Sequence, residues 1–343
     1  MAKYLIVGPS WVGDMVMAQS LFISLKQADE KAIIDVIGPN WSLPILARMP
    51  QVRNAIALPT GHGEWGISTR RKLGHSLRHE QYDEAIVMPR SWKSALVPFF
   101  AKAKHRVGFH GEQRYGLLNE RRKLDKSILN QTVKRFVSLG LPKQQAYPPL
   151  ELPQPKLELD ATNQQALYDS LNLSQRPAIA LMAGAEFGPS KQWPIAYFHQ
   201  VAQHAIASGF QVWVLGGPKD QTDGDKIVAD LGEYAINLCG RTSLIDAIDL
   251  LGAAEQAISN DSGLMHVAAA VGTHVHGIYG STSELFTPPL TEKADIHNLH
   301  LDCSPCFKRQ CPLGHTDCQN KLYPETIINA LNLPNSETLH DLT

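Results

Sequence analysis

Three separated strings carry side chains suited to moving a proton or holding an anion. The first, YLIVGPSWVGDMV (Tyr4 to Val16), runs from an apolar stretch through Gly8 and Gly13 to Asp14. The glycines have the spacing of a phosphate loop, G-x-x-x-x-G, which ordinarily continues with Lys and Ser or Thr. Here Asp14 follows, and a carboxylate repels phosphate. The dinucleotide fingerprint G-x-G-x-x-G also fails, because Pro9 follows Gly8. Both observations argue against a nucleoside triphosphatase or a dehydrogenase. Two roles remain for Asp14. It could complement the start of a helix, or act as a general base that takes a proton from an attacking hydroxyl.

The second string, GAEFGPSKQWP (Gly184 to Pro194), follows the strand-like run AIALMA and offers Ser190 and Lys191. Backbone amides, a hydroxyl and a cation at a strand end could cradle a diphosphate. Lys191 would then stabilise charge on a leaving group; the bland alternative is a solvated loop lysine. The third string, SNDSGLMHVAAAVG (Ser259 to Gly272), places Asp261, Ser262 and Gly263 where a strand gives way to a small-residue helix carrying His266. Amides at that helix start point toward any anion. Asp261 cannot bind phosphate and would hold the loop or another ligand group. The alternative is a capped core helix with a satisfied histidine.

Basic residues cluster in the first half: Arg70, Arg71, Lys72, His75 and Arg78; Arg90 and Lys93; then Arg114, Arg121 and Arg122. The run ISTRRKLGHSLRHEQY, 67–82, reads as one basic helix on which Arg71, His75 and Arg78 fall about one turn apart. They are either solvated surface or a cradle for a phosphorylated or carboxylated acceptor. Nucleic acid is not expected, since aromatic interleaving is sparse and no binding motif occurs. The net charge of −1 adds no whole-protein field.

These groups need elements to position them. Short apolar strands bounded by Gly or Pro alternate with helical stretches through both halves of the chain, the pattern of parallel sheets covered on both faces. A proline-rich stretch, 142–160, reads as a joint between two Rossmann-like domains, 1–155 and 156–343. Parallel sheets bind ligands at the carboxyl ends of their strands, so a central cleft between two such sheets is the expected place for substrate. At 343 residues, 43% hydrophobic and 19% charged, the chain is of ordinary globular composition and long enough for two domains. The first ten residues do not make a signal peptide and no run is long enough to span a membrane, so a cytoplasmic protein is expected.

Of five cysteines, Cys239 stands alone, while Cys303, Cys306, Cys311 and Cys318 crowd into CSPCFKRQCPLGHTDC with His315 among them. The spacing C-x2-C-x4-C-x6-C leaves three readings open: a structural zinc site, disulfide pairing, or free thiols.

Together, VGPSWVGDMVMAQSL, GAEFGPSKQWP and NDSGLMHVAAA, in that order, resemble the bacterial lipopolysaccharide heptosyltransferases of glycosyltransferase family 9, over Tyr4 to about Pro289. RRKLGHSLR, KSALVPFF, GEQRYGLLNE and LFTPPL are similar to the branch that adds the second heptose. The resemblance implies an α/β GT-B fold, with an acceptor-binding first domain and a donor-binding second domain. It implies an ADP-heptose donor, a heptose on Kdo-lipid A as acceptor, inversion at the anomeric centre, and peripheral contact with the inner membrane. By the same resemblance Asp14 is the base and Lys191 contacts donor phosphate. Ser190, Asp220, Asp261, Ser262, Gly263 and His266 bind the donor. Arg71, Lys72, Arg78, Arg90, Lys93 and Arg114 are candidates for the acceptor. No cofactor and no catalytic metal are expected, and the cysteine-rich segment 303–318 is not expected to be essential to transfer. Another ADP-heptose or sugar-nucleotide transferase of the same family, a GT-B-fold sugar-nucleotide epimerase and a two-domain sugar-binding protein are the competing readings.

Overall fold

The structure, a computed structural model, describes residues 1–61, 64–143 and 149–333. The chain divides into two compact units, Met1–Glu158 and Leu159–Thr343. The joint expected at 142–160 lies partly outside the described residues; 149–160 carries neither strand nor helix.

In the first unit, β1 (Lys3–Val7) leads into α1 (Val12–Ala28), followed by β2 (Ile33–Gly38), α2 (Leu43–Ala47), β3 (Asn54–Ala57), α3 (Ile67–Ser76), β4 (Glu84–Val87), α4 (Leu96–Phe100), β5 (His105–Phe109), β6 (Glu120–Arg122) and α5 (Thr132–Gly140). In the second, α6 (Ala161–Leu171) precedes β7 (Ala178–Met182), α7 (Ile195–Ala207), β8 (Gln211–Val214), α8 (Gln221–Val228), β9 (Ala235–Asn237), α9 (Leu244–Ala253), β10 (Gln256–Asn260), α10 (Gly263–Val271), β11 (His274–Ile278), β12 (Ala294–His297), α11 (Asp317–Asn320) and α12 (Pro324–Leu331).

All strand pairs are parallel, and each unit forms one six-stranded sheet. The orders are β3-β2-β1-β4-β5-β6 and β12-β11-β10-β7-β8-β9. Counted from its own first strand, each sheet therefore reads 3-2-1-4-5-6. In such a sheet the connections leave in opposite directions on either side of the first strand, and the crevice opened there is where ligands bind. That switch point lies between β1 and β4 in one unit and between β7 and β10 in the other.

The central strands are apolar because both of their faces are covered: Leu5, Ile6, Ile86, Ile179, Leu181 and Ile258 are wholly buried. Helix α1 is buried on nearly every side, from Met15 through Phe22, and so shows no polar stripe.

The joint is explained by hydrogen bonds. Buried Gln19 of α1 holds Lys156 with both ends of its amide, Nε2 donating to the Lys156 carbonyl at 2.7 Å and Oε1 accepting its N–H at 2.9 Å. Glu158 N–H donates to the Arg48 carbonyl at 2.9 Å. Two residues on, Asp160 caps α6, accepting from Thr162 and Asn163 N–H, while its own N–H donates to Asp249. Lys156 and Glu158 are thus fastened to the first unit, and Asp160 to the second.

Candidate active site

In the first unit the switch-point loop, Gly8 to Trp11, joins β1 to α1. Gly8 N–H donates to the Ile37 carbonyl at 2.9 Å. A β-carbon at Gly8 would lie 2.6 Å from the Met15 methyl, so glycine lets the first turn of α1 settle onto the strand end. The capping position belongs to Trp11, which makes no side-chain capping bond. Asp14 is therefore not the cap. It is the third helical residue, half-buried in the first turn, where the helix dipole favours its negative charge.

The basic residues separate by environment. On α3, Lys72 is exposed and Arg71 sits 5.9 Å over the Phe100 ring. Helix α3 ends at Ser76, short of the run to Tyr82 that the sequence pattern predicts; Arg78 lies in a following 3-10 turn. Arg78 Nε donates to the Phe100 carbonyl at 2.8 Å. Beyond β4, Arg90 is exposed with Nε on the His110 carbonyl at 3.0 Å, and Lys93 Nζ reaches the Glu64 carbonyl at 2.9 Å. Arg70 is buried, donating to Trp65 O and Thr60 Oγ1.

Arg114 stands apart from the exposed cations. It is only 2% exposed, and its guanidinium donates to the carbonyls of Pro89, at 2.8 Å, and Phe109. Burial, with Arg90 adding to the effect, brings it down to about 10. Its charge is committed to the ends of β4 and β5, which is a positioning role. Arg114→Met is expected to lower stability by about 2–3 kcal/mol through two lost charge-assisted bonds. Denaturant unfolding measures this; an unchanged midpoint would assign Arg114 to ligand instead.

In the second unit, chain leaving β7 turns at Gly184–Gly188 and enters a 3-10 turn at Pro189–Lys191. Gly188 has φ +153°, and a β-carbon there would stand 2.5 Å from the Arg309 carbonyl, so the turn requires glycine. Lys191 Nζ then reaches Asp261, 2.6 Å from Oδ2 and 3.1 Å from the backbone carbonyl. Both side chains are largely buried, at 14% and 5% exposed. Thr282 Oγ1 donates to the same Oδ2 at 2.5 Å, and the Phe187 ring lies 5.0 Å from Nζ. Asp261 thus holds the lysine at the carboxyl ends of β7 and β10. An ammonium has three donors, so two are used on Asp261 and one is left for a ligand.

Asn260 ties the same two strand ends together, donating to the Ala183 carbonyl at 2.7 Å and accepting Trp193 N–H at 3.1 Å. Ser262 is the N-cap of α10 but makes no capping bond; its Oγ lies 3.1 Å from Ser259 Oγ. With Gly263 starting the helix, the first amides of α10 remain open to an anion. His266, one turn in, is 5% exposed. Burial is the main cause that pushes it down to about 4, with Asp261 opposing and Lys191 assisting. It is therefore neutral near pH 7 and can offer a hydrogen bond but no charge.

Asp220, in the 3-10 turn Pro218–Asp220 that follows β8, accepts Gly217 N–H at 2.8 Å. β-Carbons at Gly184 and Gly216 would come within 3.0 and 2.7 Å of its carboxylate. Burial raises its pKa, the Gly217 bond works against this, and Glu186 and Asp223 add to the rise. Ser190 is 2% exposed, with its hydroxyl on the Lys308 carbonyl and 3.1 Å from Ser281 Oγ. It ties the Lys191 turn to segment 303–318.

The second sheet therefore brings Lys191, Asp261, Ser262, Gly263 and His266 to its switch point, with Asp220 one strand away. Sequence reasoning missed Thr282, Phe187 and Asn260. Thr282 had one readable signal, its place in GST just after the apolar run HGIY. Among the described residues, His274, His276 and Asp295 form another group whose ligand atoms lie within 4.8 Å of one another, on β11 and β12.

Residues 70–317 match glycosyltransferase family 9 (heptosyltransferase). The chain is 43% identical to lipopolysaccharide heptosyltransferase 2 of Escherichia coli K12, over 96% of this chain and 97% of that protein. It is 44% identical to lipooligosaccharide heptosyltransferase 2 of Haemophilus influenzae, over 86% and 88%. Among solved structures it is similar to E. coli ADP-heptose LPS heptosyltransferase II, with a TM-score of 0.86, 40% identity, and coverage of 96% and 97%.

Proposed function

The chain belongs to glycosyltransferase family 9, and from that membership we propose that it transfers L-glycero-D-manno-heptose from ADP-heptose to the first heptose of the lipopolysaccharide inner core, with inversion. The observation that carries the donor half of this reading is the Lys191–Asp261–Thr282 cluster beside the open start of α10. One remaining lysine donor and a set of helix amides suit the diphosphate of a nucleotide sugar. Asp220 would serve the ribose and neutral His266 a hydroxyl or phosphate oxygen.

Inversion in one displacement fixes the bookkeeping of the step. The acceptor hydroxyl oxygen forms a bond to the anomeric carbon from the face opposite ADP. Its proton passes to Asp14. The bond from the anomeric carbon to the phosphate oxygen breaks, and its electron pair leaves with ADP, where Lys191 and the amides of 263 onward receive the charge. Arg71, Lys72, Arg78, Arg90 and Lys93 would meet the acidic groups of the acceptor. That acceptor is lipid-anchored, and no helix of the described residues is long and apolar enough to cross a membrane. The enzyme would then work from the cytoplasmic face of the inner membrane by peripheral contact.

The test is a single incubation with ADP-heptose and heptosyl-Kdo2-lipid A. ADP should appear only when both are present, and the acceptor should gain the mass of one heptose. No ADP release under those conditions ends this reading. Isomerised nucleotide sugar without acceptor would favour an epimerase.

A further inference from the structure

Segment 303–318 is docked on the turn that carries Lys191. Ser190 N–H donates to the Arg309 carbonyl at 3.2 Å, Phe307 N–H to the Ser281 carbonyl at 2.7 Å, and the Ser304 hydroxyl to the Gly280 carbonyl. Within this fold-back Cys303, Cys306, Cys311 and Cys318 all line one cavity of about 20 Å³, together with His315. That is room for a single ion or water. None of the four is in a disulfide.

The turn after Cys311 keeps the third cysteine at this cavity: Gly314 N–H donates to the Cys311 carbonyl at 3.2 Å, and Gly314, with φ +77°, lets the chain fold back there. Four cysteines meeting at one cavity, in a segment held by backbone bonds, are the donor set of a closed structural zinc site. Lys308 and Arg309 lie between the second and third cysteines and would offset negative charge there.

We propose that Cys303, Cys306, Cys311 and Cys318 close on one zinc ion as a tetrahedral four-thiolate site, and that this site is the clasp holding Ser190 and Lys191 in place. A four-thiolate zinc site holds each sulfur about 2.3 Å from the ion, so binding would draw the four sulfurs together across the cavity they line. The four thiols release four protons to solvent. Four thiolates and one Zn²⁺ leave a net charge of −2 at the site. Zinc has no redox role here; it fixes the segment against which the Lys191 turn is built, Ser190 being the shared residue.

The test uses the full chain purified under reducing conditions. Metal content should be about one zinc per chain, and exchange with cobalt should give intense thiolate-to-cobalt charge transfer. The double substitution Cys303→Ser with Cys306→Ser should remove the ion, whereas His274→Ala should leave it. Stripping zinc should weaken ADP binding by about tenfold, with recovery on re-addition. The metal measurement stands apart from the assignment of function, since it needs no substrate. Absence of zinc together with no cobalt charge transfer in the reduced protein overturns the proposal. So does an ion lost in His274→Ala, which would place it on His274, His276 and Asp295, or an iron–sulfur absorption in place of zinc. Should the double variant not fold, the cobalt spectrum of the unaltered chain decides.

Discussion

Asp14→Ala lowers turnover by about 10²–10⁴-fold while ADP binding stays within twofold of the unaltered protein, the effect size of a lost general base. The expectation follows from where the helix begins. Trp11 takes the capping position and makes no side-chain bond, so Asp14 is not needed as a cap. In the first turn Asp14 also complements the helix dipole, worth about 0.3–1 kcal/mol of stability. The two roles differ in kind as well as size. A dipole partner shows itself in unfolding and leaves turnover unaltered. A base shows itself in turnover and leaves the fold nearly unaltered. Asp14→Asn sharpens the comparison, since it keeps the shape and removes the proton acceptor. If Asp14→Asn turns over at the unaltered rate, Asp14 is a helix-start acid and the base lies elsewhere.

The two sheets were readable because parallel strands buried on both faces appear as short apolar runs, and YLIVG, AIALMAG and QVWVLGG stand out for that reason. Two of the marginal strands did not. β6 is Glu-Arg-Arg and β12 is Ala-Asp-Ile-His, chains whose pairing partner, not whose hydrophobicity, makes them strands. The basic pattern of α3 continues past Ser76, but the helix stops there and gives way to a 3-10 turn, Arg78–Glu80, closed by Gln81 at φ 55°.

The placement of the candidate residues was legible by the same logic. Residues just after an apolar run lie at strand carboxyl ends, which is where Asp14, Lys191 and Asp261 occur. What no spacing could give is pairing between strings 70 residues apart, so the contact of Lys191 with Asp261 was invisible. Arg114 looked like its exposed neighbours because sequence does not distinguish a solvated arginine from one buried on carbonyls.

That pairing sets the second large effect. Lys191→Met should cost about 10²–10³-fold in kcat/KM, the scale for removing one preorganised donor to developing charge, and should weaken ADP binding as well. The reason extends beyond a missing contact. In the unaltered protein the Asp261 carboxylate is neutralised by Lys191 and bonded by Thr282. Without the lysine, a buried carboxylate remains beside the place proposed for a diphosphate, and the local charge changes from balanced to repulsive. The double variant Lys191→Met with Asp261→Asn removes that repulsion. It should recover much of the ADP affinity lost in the single variant, but little of the turnover, because no cation remains to receive charge on the leaving group. The cycle of the two single variants and the double variant isolates the coupling, which two residues in contact should show. ADP affinity by calorimetry and turnover by ADP release provide the two readings. If Lys191→Met binds ADP as tightly as the unaltered chain, the lysine serves only to hold Asp261, and the diphosphate must be met by the amides of α10 alone.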